Sequence, residues 1–286
     1  MTHPVHFRFP DGRLHLQHGP IDCIVEAWGA ANEIEAAYAQ AIARFEDVLQ
    51  TLVGELPVLR SPLTAGYPLV RGPVAKRMVA AVWPYRDEFI TPMAAVAGAV
   101  AEELLEALVR DRKLDKAYVN DGGDIAMHLN GYSELALGVA ADPNRPALDG
   151  DLKVHASDPV RGIATSGWRG RSQSLGIADS VTVLAKSASI ADAAATMIAN
   201  AVNADHPAIR RAPARAIKED SDLGDLPVTV EVGALPRSAV EEALRAGLRA
   251  ARHLEKEGLV FDALLSLQSQ WRSLRERPPH LLRARC

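Results

Sequence analysis

At 286 residues, with 48% hydrophobic residues, the chain is long enough for one large domain or two small ones around a real core. A net charge of −4, with Lys and Arg dispersed and no long run of like charge, argues against nucleic acid or an anionic membrane as partner. The apolar run Met93–Val100 is closed by Glu102 and Glu103, well short of the roughly 20 residues a membrane helix needs.

The N-terminus lacks the apolar core and cleavage site of a secretory signal, so the mature chain is expected to begin near Met1. Cys23 and Cys286 form no Cys-x-x-Cys pair, which fits a reducing cytoplasm. Two or three strands are expected first, over Val5–Phe9, Arg13–His18 and Ile21–Ala27, separated by Pro10-Asp11-Gly12 and Gly19-Pro20. His15 and His18 are three apart on a strand, hence on opposite faces. They are expected to be surface histidines rather than ligands of one metal.

Helical spacing then runs from Asn32, the expected N-cap, to about Val53, followed by a Pro- and Gly-rich connection over Pro57–Pro73. Further helices are expected over Val74–Val82 and Pro92–Val109. The small-residue start of the latter, including Gly98, suits close approach of either another backbone or a ligand. The centre of the chain reads as strands: Lys116–Val119, Ile125–Leu129, Glu134–Val139, Leu152–Ala156, Gly162–Thr165 and Val181–Leu184. A helix over Ile190–Asn203 follows, then a polar stretch, a strand Val228–Val232 and a charged helix Arg237–Lys256. Leu259–Leu274 has no clear period. Strands grouped between helices imply an α+β fold.

Three segments carry candidate chemistry. In Asn120-Asp121-Gly122-Gly123-Asp124 the paired glycines permit positive φ and bring peptide N–H groups toward a phosphate, while Asp121 and Asp124 suit a hard cation or ligand hydroxyls. A plain Asp-Gly hairpin turn is the alternative. Thr165-Ser166-Gly167-Trp168-Arg169-Gly170-Arg171 offers hydroxyls and forked donors to an anion, although exposed loops of this composition are often merely solvated. Asp192 and Thr196 are four apart on one helix face, an oxygen set of the kind Mg²⁺ prefers; Asp near a helix start also simply complements the dipole.

In order and spacing these segments resemble the ApbE-like superfamily, best known for FAD-dependent flavin transferases. The likeness lies in Asn120–Asp124, in Thr165-Ser166-Gly167, in Val181-Thr182-Val183, and in Asp192 with Thr196. The wording of Pro92–Gly98 and Ser174–Ser180 resembles more closely an ApbE-like branch distinct from the transferases themselves. The specific motifs fall within roughly residues 90–205, and one ApbE-like domain over 1–286 is expected.

The resemblance implies a T-fold-like mixed sheet with flanking helices. It also implies FAD or another nucleotide bound by Asn120, Gly122, Gly123, Asp124, Thr165, Ser166 and Gly167, with Mg²⁺ at Asp192 and Thr196. The chain departs from the transferases in lacking their His-x-x-Asp-Pro-x-Thr-Gly segment after Thr-Ser-Gly; His155 and Asp158–Gly162 resemble it but precede Thr165. That departure argues against covalent flavin transfer and leaves the nucleophile and base unnamed.

The expectation is therefore a cytoplasmic, transferase-like protein that binds a small phosphorylated or anionic ligand. It is expected to form a homo-oligomer; a purely structural oligomeric scaffold, with subunit contacts through the Asn32–Val53 and Arg237–Lys256 helices and no ligand at either Asp site, is a separate alternative. A non-catalytic flavin or nucleotide carrier, and a factor in sulfur assimilation into homocysteine, are the alternatives.

Overall fold

A computed structural model describes residues 3–63, 66–139, 150–275 and 283–284; Cys286 lies outside them. In chain order the elements are β1 (Val5–Arg8), β2 (Leu14–His18), β3 (Ile21–Gly29), α1 (Ala31–Phe45), α2 (Val48–Leu59), α3 (Pro73–Val82) and α4 (Val96–Val109). Next come β4 (Leu114–Asp121), β5 (Asp124–Leu129), β6 (Glu134–Val139), β7 (Gly150–His155), β8 (Gly162–Ser166) and β9 (Ser180–Ala185). The chain continues with α5 (Ala188–Ala201), β10 (Ile209–Pro213), α6 (Ala214–Ile217), β11 (Pro227–Val232) and α7 (Arg237–Lys256). It closes with β12 (Asp262–Leu267), β13 (Gln270–Ser273) and β14 (Arg283–Ala284). The α+β expectation holds, and most element bounds fall within two or three residues of the sequence reading.

The chain divides into two compact units, one of residues 1–135, 155–164 and 186–193, the other of residues 136–154, 165–185 and 194–286. In the first, β1 to β5 pair antiparallel in sequence order, and the start of β8 adds to β5 through Ala126↔Gly162 and Ile125↔Ile163. β2 and β3 alternate buried and less buried residues, as strands with one covered face do. Leu14, Leu16, Cys23 and Val25 enter the core under α1 and α4 with Tyr38, Phe45 and Leu104. In the second unit β9 pairs with β12 and β12 with β13, all antiparallel. α7 packs on β12 and β13 through Val240, Ala243, Leu244, Gly247, Leu248, Ala251 and Leu254, the i, i+3, i+4, i+7 stripe of an amphipathic helix. β10 pairs with β11, and β7 with β14.

Three expectations are corrected, and two segments that the sequence leaves without an element gain one. The single helix over Asn32–Val53 is two, because Asp47 leaves helical geometry (φ −116°, ψ 1°), and Pro57 is accommodated inside the second. Asn32 is not the N-cap: α1 starts at Ala31 behind Ala30, which makes no side-chain cap bond. His18 is not a surface residue. Its place on β2 shares the core face of Leu14 and Leu16, leaving it 1% exposed, whereas His15 on the other face pairs with Asp22 at 2.8 Å. The polar stretch after α5 contains β10, whose basic residues hide the strand. Finally, Leu259–Leu274 is a hairpin whose turn, Gln268-Ser269, takes positive φ (46° and 64°) without glycine.

Candidate functional site

The first unit brings Asn120, Gly122, Gly123 and Asp124 to the tip of the β4–β5 hairpin. Gly122 and Gly123 form its two-residue turn at φ 63° and 116°, a backbone only glycine adopts cheaply. Asp121 and Asp124 are opposite each other as the last pair of the ladder. The N–H of Gly123 donates to the Asn120 side-chain oxygen at 2.8 Å, so that amide is spent inside the turn. Asp121 is buried and accepts the Asp22 N–H at 3.3 Å. Burial, reinforced by Asp121 and Asp22, pushes the thiol of the adjacent Cys23 up.

α5 delivers Asp192 to the same place by an unusually close approach of main chains. A Cβ on Gly98 would stand 2.3 Å from the Ala188 carbonyl oxygen, and one on Gly162 would stand 2.0 Å from the Ser187 carbonyl carbon. The small-residue start of α4 thus serves backbone packing, one of the two uses its sequence suits. Glu102, one turn further along α4, accepts the Ser189 N–H at 2.7 Å and the Ser189 hydroxyl at 2.9 Å. It thereby caps the start of α5 from outside that helix. Arg77 holds Glu102 at 3.4 Å and Glu103 at 3.1 Å, and Arg44 holds Glu103 at 2.7 Å.

So fixed, Asp192 Oδ2 accepts the N–H of Gly98 at 3.1 Å, in the first turn of α4. Burial, then the Asp124 and Asp121 carboxylates, push the Asp192 carboxyl well above the usual carboxylate range, while the Gly98 and Ala97 N–H groups pull the other way. The donors here are oxygens that repel one another, which is the chemistry a hard cation relieves. Among the described residues no group of three or more His, Cys, Asp or Glu is placed to hold a metal by itself, so a cation would also need hydroxyl, carbonyl or ligand oxygens. Thr196 follows one turn later on α5, in the stretch assigned to the second unit.

Thr165, Ser166 and Gly167 also belong to the second unit. There the Thr165 and Thr182 hydroxyls are 2.9 Å apart. Asp179 gathers the loop that follows: its carboxylate accepts Trp168 Nε1 at 3.2 Å, Arg169 Nε at 2.8 Å and the Gln268 N–H at 2.6 Å. Arg169, which the sequence offers as an anion donor, is therefore engaged by Asp179 and stacked over Trp168 at 4.6 Å. The His155–Gly162 segment closes on itself in the first unit. Asp158 accepts the His155 N–H at 2.7 Å, and Arg161 donates to the carbonyls of Ala156, Asp158 and Val160. Glu102 and Asp179 were not singled out by sequence in these roles; an acidic residue inside a helix or loop carries no signal of which distant amide it will meet.

A family model described as AbpE bacteria matches residues 6–273. The UPF0280 protein of Methanothrix thermoacetophila is 39% identical over 134 residues, 46% of this chain and 54% of that protein. The UPF0280 protein of Methanopyrus kandleri is 35% identical over 179 residues, 61% of this chain and 70% of that protein. The chain spans about half the length of the first curated relatives it matches. Among solved structures, the Flavin Transferase ApbE from Vibrio cholerae aligns over 94% of this chain and 96% of its own, with 13% identity and a TM-score of 0.40. The ApbE protein from Thermotoga maritima aligns over the same shares with 12% identity and a TM-score of 0.39. Among the described residues no helix is long and apolar enough to cross a membrane.

Proposed function

The chain belongs to the family described as AbpE bacteria, and on that premise we propose that it binds a phosphorylated or otherwise anionic small molecule together with Mg²⁺, a flavin nucleotide such as FAD being the most specific version. The reading is supported by the Asp192 carboxylate, which accepts the Gly98 N–H in the first turn of α4, and by Asp121 and Asp124, paired opposite each other at the tip of the β4–β5 hairpin. Carboxylate oxygens on adjoining elements are donors of the kind a hard cation takes.

Asp192 with Thr196 would hold Mg²⁺, with Asp124 near the ligand. Asn120, Gly122 and Gly123 would shape the hairpin tip against the nucleotide. Bound Mg²⁺ supplies electrostatic stabilisation of charge on a phosphate. What this chain's residues do is fix the acceptors: Glu102 and Gly98 set α5, and the glycine turn sets Asp124. We further place the protein in the cytoplasm as a homo-oligomer. The missing His-x-x-Asp-Pro-x-Thr-Gly segment, with Asp158 and Arg161 engaged in their own loop, favours a reaction other than covalent flavin transfer.

Calorimetric titration of FAD and Mg²⁺ into metal-free full-length chain tests the reading. FAD binding that requires Mg²⁺ and disappears in Asp192→Ala is the expected result. Failure of FAD to bind with or without Mg²⁺ would sink the flavin version, and failure of Mg²⁺ alone and with any phosphorylated probe would sink the whole reading.

A further inference from the structure

The second unit holds a cavity of about 480 Å³ lined by Leu235, Arg237, Val240, Gln268, Gln270 and Arg272. Two arginines and two amides face two apolar side chains, and no carboxylate is among the lining residues. One wall is the β12–β13 turn, where Gln268 and Ser269 hold positive φ, a conformation costly for residues other than glycine. That turn is pinned on both sides of its backbone. The Asp179 carboxylate accepts the Gln268 N–H at 2.6 Å, while the Gln268 amide donates to the Gly233 carbonyl at 2.7 Å and accepts the Leu235 N–H at 3.1 Å. The turn and the connection into α7 are thus locked to each other, giving the cavity a pre-formed rim.

Arg272 is the telling residue. It is half-buried, and among the described residues its guanidinium donates only to the Trp271 carbonyl, at 2.8 Å, with no carboxylate within ion-pair distance. A partly desolvated guanidinium without a counter-charge is electrostatically incomplete, and an anion entering the cavity completes it. Arg237 is largely exposed and bonded to Glu241 at 3.0 Å, an exposed pair of little strength that leaves guanidinium donors for a second acceptor. The volume exceeds what a bare ion fills, and Leu235 and Val240 offer apolar surface for a carbon skeleton.

We propose that this cavity binds a small organic phosphate, its phosphate held by Arg272 and Arg237 with the Gln270 amide and its carbon skeleton against Leu235 and Val240. The proposal shares no residue with the carboxylate site and stands or falls separately from it.

The test is calorimetric titration of inorganic phosphate and of glycerol phosphate into the full-length chain, with NMR observation of the arginine Nε–H signals. Saturable binding of both probes is expected, glycerol phosphate at least about threefold tighter, with the Arg272 Nε–H signal shifting. Arg272→Lys keeps the charge but loses the fork and should weaken binding about tenfold; Arg237→Ala, at an exposed position that leaves folding intact, should weaken it about threefold. Arg249→Ala, an exposed arginine elsewhere on α7, should leave it unchanged. No saturable binding up to about 10 mM, or equal binding in wild type, Arg272→Lys and Arg237→Ala, would overturn the site. Glycerol phosphate no tighter than inorganic phosphate would overturn the organic part of the assignment.

Discussion

Asp192 on α5 and Gly98 on α4, 94 positions apart in sequence, meet through a 3.1 Å hydrogen bond from the glycine N–H to the carboxylate. The same glycine lets the main chain of Ala188 pass where a side chain would stand. One residue therefore both admits α5 and orients its acid.

Gly98→Ala should be destabilising despite the helix. Alanine gains about 1 kcal/mol of helix propensity over glycine, but its Cβ would be 2.3 Å from the Ala188 oxygen and 2.8 Å from the Ser189 Cα, both backbone atoms. Overpacking against atoms that cannot rotate away costs on the order of 2–3 kcal/mol, so the clash wins. Urea denaturation measures the balance, and a variant as stable as the wild type would mean that α5 can retreat.

Asp192→Asn should raise the stability of the metal-free protein at neutral pH, because it removes one of three crowded carboxylates while the amide oxygen still accepts the Gly98 N–H. The same change should abolish the Mg²⁺-induced rise in melting temperature. Both are read from thermal melts with and without Mg²⁺; a variant less stable than wild type without metal would show that crowding is not the dominant effect.

Glu102 and Ser189 should be energetically coupled. The carboxylate accepts two hydrogen bonds from this one residue, 2.7 Å from N–H and 2.9 Å from hydroxyl, of which Ser189→Ala removes the second and Glu102→Gln weakens both. A double-mutant cycle should return a coupling energy of about 1 kcal/mol, and a value near zero would mean that Glu102 acts only through Arg77.

Asp262 should make stability fall as pH rises toward neutrality. It is fully buried on β12, with Oδ1 accepting the Ala263 N–H at 2.8 Å and Oδ2 without a side-chain or main-chain partner at hydrogen-bond distance among the described residues, and burial pushes its carboxyl from 3.8 up to about 6. The native state thus binds this proton more tightly than the unfolded chain. The associated stability is present below pH 3.8 and is lost as pH rises through about 6, on the order of 2–3 kcal/mol in all. Asp262→Asn should flatten that part of the pH–stability profile in urea titrations between about pH 4 and 7.5; identical slopes in both proteins would assign the dependence to other groups.

The sequence by itself determined what periodicity and turn chemistry can carry over a few residues. α7 runs from Arg237 to Lys256 as its amphipathic stripe predicts, β9 sits on its apolar run, and Gly122-Gly123 makes the turn that paired glycines favour. The order of motifs was enough to suggest the family. Only the tertiary structure decided that α4 pairs its Gly98 with Asp192, that Glu102 caps α5, that His18 is interior, and that Gln268-Ser269 turns a hairpin without glycine. The physical reason is range: an N–H, a carboxylate or a strained φ is satisfied by whichever group the chain's path brings near. For Asp192 that group is 94 residues away, and for the Gln268 turn the pinning carboxylate of Asp179 is 89 residues away.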